Sequence, residues 1–151
     1  MPRMNRYRSP LLMICILAAS VLAAGTGVWA AVEPAAEALP VTVEMTFGSG
    51  VDRTTRSVTG QSIEFAADGF SADEGQVFCL TRVMNAAAPA TVTHVWYHEG
   101  KTMARVELNV GSADWRTWST KRILPQWTGS WEVKVLDANG MVLATSGFTI
   151  K

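Results

Sequence analysis

Apolar and polar residues alternate along most of the chain from Pro40 to its end. In Val41–Phe47 every second residue is apolar, which is typical of a strand with one buried face. The glycines of Gly48-Ser49-Gly50 predict the end of this strand. Further strands are predicted around Ile63 and Phe65, and over residues 76–84, 91–97, 102–110, 113–121, 131–135 and 141–150.

Turn-forming residues separate these runs at intervals of roughly 8–12 residues, and no apolar stripe has helical spacing. The pattern therefore predicts an all-β protein. We expect one immunoglobulin-like antiparallel β-sandwich of seven to eight short strands over residues 41–151.

Two turns set the predicted pairing of strands. Because glutamate is disfavoured at positive φ, Tyr97–Gly100 is expected to form a type I turn with a glycine bulge. This turn pairs Trp96 with Thr102, and a similar turn at Asp137–Gly140 pairs Val135 with Leu143 and Val133 with Thr145. Val92, His94 and Trp96 then share a buried face with Ala104, Val106 and Leu108. The predicted core is His94, Trp96, Val106, Leu108, Trp131, Val133, Val135 and Leu143.

The first thirty residues have the order of a secretory signal peptide. Three arginines lie in the first ten residues, an uncharged apolar run covers Leu11–Ala24, and Val28 and Ala30 fit the −3 and −1 positions of a cleavage site. The alternative is an uncleaved anchor, because Leu11–Val32 is about long enough to span a bilayer. Both interpretations place the rest of the chain outside the cytoplasm, in the periplasm or secreted. Residues 31–40 read as a linker.

Charge and chemistry exclude several classes of function. Without the three leading arginines, ten basic residues face thirteen acidic ones, and no basic cluster suggests nucleic-acid binding. Cys79 is the one cysteine after the leader, so no disulfide within the mature chain is expected. His94 and His98 lie about 13 Å apart if both are on one strand, too far for a shared metal ion. His94 is expected to be a core residue that donates to a backbone carbonyl. We expect no catalytic residues, metal or cofactor.

Tryptophan and basic residues cluster between positions 115 and 127. Trp115 and Trp118 differ by three positions, so on a strand they project from opposite faces. An exposed tryptophan beside a cation can bind a sugar ring or a carboxylate. The alternative is that these tryptophans close the ends of a small sandwich. The candidate binding residues are Trp115, Arg116, Trp118, Lys121 and Trp127.

Three segments together resemble a known family: residues 94–97 (HVWY), 115–121 (WRTWSTK) and 127–133 (WTGSWEV). With Asp137, Gly140, Leu143 and Phe148, they make the chain similar to the uncharacterised bacterial domain of unknown function 2914 over about Val41–Lys151. The resemblance implies an exported or membrane-tethered β domain and assigns no activity.

We therefore expect an exported, non-catalytic binding module whose partner is a glycan or a cell-envelope protein. The alternative is a structural or assembly domain that is tethered to the inner membrane and faces the periplasm. The membrane is expected to be contacted only through an uncleaved N-terminal segment.

Overall fold

The computed structural model describes residues 38–63 and 69–151, which contain nine β-strands and a short 3₁₀ turn at Ala72–Glu74. The predicted leader, most of the linker and Phe65 lie outside these residues. Within the described ranges, no helix is long and apolar enough to cross a membrane. The strands are β1 (Thr42–Asp52), β2 (Ser57–Ile63), β3 (Gly69–Phe70), β4 (Gln76–Met84), β5 (Ala90–His98), β6 (Lys101–Val110), β7 (Asp114–Arg122), β8 (Gly129–Leu136) and β9 (Val142–Ile150).

The strands form two sheets, with the orders β2-β1-β4-β7 and β3-β9-β8-β5-β6. Side chains of both sheets meet in a shared apolar core: Phe47 of β1, for example, lies against Phe148 of β9, with 4.9 Å between ring centroids. The all-β prediction is confirmed, and the architecture is that of a β-sandwich. The predicted strand count is too low because β3 is only two residues long. The sheets are also not purely antiparallel, since β3 pairs with β9 in parallel.

The first strand does not end at its glycines. β1 continues through Gly48-Ser49-Gly50 to Asp52, and the register between β1 and β2 shifts between Gly48 and Gly50. A Cβ atom on Gly48 would lie 2.9 Å from the Cβ of Val58. The glycines therefore mark an irregularity that lets the β1–β2 hairpin approach closely, rather than the end of a strand.

The β5–β6 turn differs from its prediction, although its consequence for Trp96 is the predicted one. Glu99 and Gly100 have φ values of 48° and 76°, so they form a two-residue turn between His98 and Lys101. A second irregularity, between Trp96 and Tyr97, shifts the register again and pairs Trp96 with Ala104 instead of Thr102. The two shifts together move the pairing of Trp96 by two residues. Trp96 therefore keeps the inward face predicted for it and is fully buried.

The second hairpin has the predicted turn but not the predicted pairs. Gly140 has φ 83° and donates its N–H to the carbonyl of Asp137, as expected for a glycine bulge. A further shift between Val135 and Leu136 pairs Val135 with Ala144 and Val133 with Ser146. The predicted partners, Leu143 for Val135 and Thr145 for Val133, were therefore each wrong by one residue.

Most of the buried apolar residues fall into two clusters, one toward each end of the sandwich. The first, which we call the closed end, contains Phe47, Phe70, Val77, Cys79, Trp96, Ile123, Trp131, Val133, Phe148 and Ile150. The second, which we call the open end, contains Val83, Ala86, Val92, Val110 and Val135. β1, β5, β7 and β9 begin at the open end, where β4, β6 and β8 finish.

Candidate binding site

A chain of buried polar side chains joins the two sheets between these clusters. The imidazole of His94 hydrogen-bonds with Thr81 Oγ1 at 3.0 Å and with Ser119 Oγ at 2.8 Å. Trp96 Nε1 also donates to Ser119 Oγ, at 3.0 Å. His94 and Trp96 belong to β5, whereas Thr81 and Ser119 belong to β4 and β7 of the other sheet. The partners of His94 are thus hydroxyls, and the predicted bond to a backbone carbonyl was wrong.

Burial determines the charge states in this cluster. Loss of hydration lowers the pKa of His94 to about 4, so its imidazole is neutral near neutral pH. Burial likewise raises the pKa of the Cys79 thiol to about 12. The cysteine is therefore a thiol rather than a reactive thiolate.

The contact between Ser119 and His94 has the distance of a nucleophile–base pair. However, His94 is fully buried and Ser119 is 5% exposed, so neither is accessible to a substrate in this conformation. The second ring nitrogen of His94 contacts the hydroxyl of Thr81 rather than a carboxylate. Among the described residues, no group of three or more His, Cys, Asp or Glu side chains is placed to hold a metal ion. This arrangement joins the sheets through hydrogen bonds.

The five candidate residues around the tryptophans do not form one surface. Trp115 is half-buried against the open-end cluster, and the guanidinium carbon of Arg56 lies 4.7 Å from the centroid of its ring. Trp127 packs against the closed-end cluster, and Lys121 Nζ lies 5.2 Å from the centroid of its ring. Each ring thus already faces a cation of the protein itself.

Arg116 and Trp118 lie together on the outward face of β7. The register of β4 and β7 places Trp118 beside Leu80 and Arg116 beside Arg82. Trp118 is half-buried and Arg116 is exposed. Arg82 binds both carboxylate oxygens of Asp114, at 2.9 and 2.6 Å, and its donation lowers the pKa of that carboxyl group. Trp118 is therefore the tryptophan of the set that points away from the core.

The predicted core residues differ in burial according to their strand. His94, Trp96, Trp131, Val133 and Val135 are buried. Val106 and Leu108 are only half-buried because β6 is the outer strand of its sheet, and Leu143 is half-buried near the start of β9.

An apolar cavity of about 390 Å³ lies at the open end. Four buried residues contribute to its walls: Val83, Ala86, Val92 and Val110. Solvent-exposed residues, including Val41, Ala87, Pro89 and Ala138, lie at its mouth. None of the described residues that line the cavity is aromatic. Its size and apolar walls are those of a ligand pocket.

Exposed apolar side chains surround this end of the molecule. Leu39 is 70% exposed, Met141 67%, Val142 55% and Val41 40%. β1 and β9 both start here, in different sheets, and Val41 and Leu143 beside these starts line the same cavity. We call Leu39, Val41, Met141 and Val142 the apolar rim.

Sequence reasoning did not identify this site. Three of the four buried residues that line the cavity are valines that continue the strand pattern, and alanines in a loop such as Ala86 and Ala87 carry no periodic signal. The exposed Met141-Val142 pair continues an apolar strand pattern, so the sequence does not distinguish these residues from core residues.

Comparison with known proteins finds one family model that matches part of the chain. Residues 89–150 match the model of the family described as "Protein of unknown function (DUF2914)". No curated protein matches the chain. The matched segment extends from β5 to β9 and is shorter than the resemblance from Val41 onward. Over residues 89–150, the chain matches the DUF2914 family model, as the sequence resemblance predicted.

Proposed function

We propose that this protein is an exported, non-catalytic binding module, and that the cavity at the open end receives an apolar group of its partner. The observation that carries this proposal is an apolar cavity of about 390 Å³ that opens beside four exposed apolar side chains. Contiguous exposed apolar surface on a soluble domain commonly marks an interaction site.

The composition of the cavity favours an apolar partner over a glycan. Sugar rings bind on aromatic faces with several hydrogen-bonding groups around them, whereas the walls of this cavity are aliphatic. Thr91, Asp137 and Asn139 supply polar groups beside the apolar walls, as is common where a pocket fixes the orientation of its ligand. A glycan would fit better at Trp118, beside the exposed Arg116.

A fluorescent apolar probe, N-phenylnaphthylamine, tests the proposal. We expect the purified protein to bind the probe, and Ala138→Trp, which places a large side chain at the mouth, to abolish binding. Lys101→Trp is the matched control because Lys101 is exposed in the hairpin turn at the other end. Equal binding by the two variants, or no binding by the unmodified protein, would rule the cavity out. If cell-wall glycans quench tryptophan fluorescence and Trp118→Ala prevents it, the partner is a glycan.

Export is supported by the basic start, the apolar run and the small residues that follow it. The alternative function is an assembly domain tethered to the inner membrane, and the position of Leu39 and Val41 of the apolar rim at the end of the linker favours it. Fractionation separates the two forms. An anchored chain stays with membranes through a carbonate wash, whereas a cleaved chain appears at lower mass in the periplasmic extract.

We also propose that the sandwich is immunoglobulin-like. In support, the order β9-β8-β5-β6 corresponds to strands G, F, C and C′ of such domains, and β1-β4-β7 corresponds to A, B and E. Cys79 on β4 and the buried Trp96 on β5 would then stand on strands B and C, where antibody domains carry a cysteine and a tryptophan. An experimental structure with a different strand order would contradict this assignment.

A further inference from the structure

We infer that the occupant of the open end is a zwitterionic phospholipid of the bilayer surface, with an acyl chain in the cavity and its headgroup in an adjoining groove. This inference rests on the proposed function and assigns the chemistry of the ligand.

The cavity borders a polar groove of about 450 Å³. Thr91 and the turn residues Asp137, Ala138 and Asn139 line both spaces, so one ligand can reach from one to the other. The groove also contains Arg105 and Glu107, which are both exposed on β6. An apolar space beside a polar one matches an amphipathic molecule rather than a purely apolar one.

The charges in the groove select the headgroup. Arg105 can pair with a phosphate, while Glu107 and Asp137 can pair with an ammonium group. A headgroup that carries both charges satisfies both sides of the groove, whereas a purely anionic headgroup would leave the two carboxylates facing negative charge. Phosphatidylcholine and phosphatidylethanolamine have the required pair of charges.

The apolar rim suits the surface of a bilayer. Its four side chains are exposed at the same end as the mouth of the cavity, where apolar groups can enter the interfacial layer of a membrane. In the sequence, seven positions separate Val32, the end of the apolar N-terminal run, from Leu39. A bilayer that held this run would be within about 25 Å of Leu39, since an extended residue spans at most about 3.6 Å.

Quenching by lipids tests where the membrane lies. The full chain is prepared with Cys15→Ser, and a bimane label is attached at Met141→Cys or, as a control, at Lys101→Cys. Each form is incorporated into phosphatidylcholine vesicles with and without a doxyl-labelled lipid. We expect strong quenching at position 141 and none at position 101. Equal quenching at both positions, or none at 141, would overturn the inference.

A soluble short-chain phosphatidylcholine tests the cavity and groove without a bilayer. We expect it to bind the full chain. Ala138→Trp should weaken binding roughly tenfold or more, because the acyl chain loses its apolar contacts with the cavity walls. Lys101→Trp should bind like the unmodified chain. Binding equal in both variants would overturn the inference. If N-phenylnaphthylamine binds and Ala138→Trp blocks it, but neither lipid result is obtained, the lipid assignment fails while the proposed function stands.

Discussion

Five aromatic side chains fill the closed end of the sandwich, whereas valine and alanine line the open end. At the closed end, Trp131 stacks on Phe148 with ring centroids 6.1 Å apart and on His98 at 4.7 Å. At the open end, the buried cluster contains only valine and alanine, with Trp115 partly buried beside it. One end is therefore closed by stacked rings, and at the other the sheets enclose a cavity.

We infer from this difference that the closed end contributes most to stability and that the open end binds the ligand. Aromatic residues bury large areas and dominate the energetics of a core. Small side chains leave space between two sheets whose separation is set by the larger side chains packed elsewhere in the core. We expect substitutions at the closed end to change the free energy of unfolding, and substitutions at the open end to change ligand binding.

The largest expected effect is that of Trp131→Ala. Trp131 is 1% exposed, and its Nε1 donates to the carbonyl of Trp127 at 3.1 Å. Truncation should lower the free energy of unfolding by about 3–5 kcal/mol, measured by urea denaturation or, if the variant is insoluble, by loss of soluble protein. Leu39→Ala at the open end is the control and should change it by less than about 0.5 kcal/mol. Similar losses in the two variants would remove the distinction between the ends.

Lowering the pH should reduce the free energy of unfolding, because His94 is buried as a neutral imidazole between the two sheets. Its pKa is about 4 in the folded protein and about 6.5 when unfolded, so between these values the unfolded chain binds more protons. The stabilisation that depends on neutral His94 is complete above about pH 6.5 and is lost as the pH falls toward about 4. From about pH 7 to about pH 5 the loss should be about 2 kcal/mol.

A matched variant isolates this contribution. His94→Gln should show a smaller loss over the same pH interval in urea denaturation, because glutamine does not titrate. His98→Gln is the control, since His98 stacks on Trp131 outside the buried polar cluster. An unchanged pH dependence in His94→Gln would show that other groups cause the acid sensitivity.

Filling the cavity should have a smaller effect, and in the opposite direction. Ala90 is half-buried at the start of β5 and lines the cavity. Ala90→Val adds apolar contacts in empty space and should raise the free energy of unfolding by about 0.5–1 kcal/mol. It should also weaken binding of the apolar probe. Greater stability with undiminished binding would mean that the ligand does not enter the cavity.

The sequence predicted the strands better than the way they pair. The apolar pattern identifies β4, which is almost continuously apolar, and β8, in which apolar and polar residues alternate. It does not identify β3, which has only two residues, nor the register shifts beside Trp96 and Val135, because a bulge is determined by packing on the neighbouring strand. Glu99 adopts positive φ while its carboxylate accepts the N–H of Ser130, a contact between distant segments that local propensity does not include.

The candidate site was harder to predict than the fold. The sequence predicts the tryptophans as binding residues. In the structure, however, Trp115 and Trp127 pack against the core and face Arg56 and Lys121. The partners of His94 lie on two other strands, so its buried network depends on how the two sheets come together. The cavity depends on small residues and on empty space, and neither has a sequence pattern.

Methyl NMR spectroscopy during titration with a short-chain phosphatidylcholine tests most directly whether the open end is the binding end. We predict that the signals of Val92, Val110 and Leu143 at the open end shift in a saturable manner, while those of Val77, Val133 and Ile150 at the closed end stay in place. Shifts confined to the closed end, or no shifts at saturating lipid, would contradict the assignment of binding to the open end.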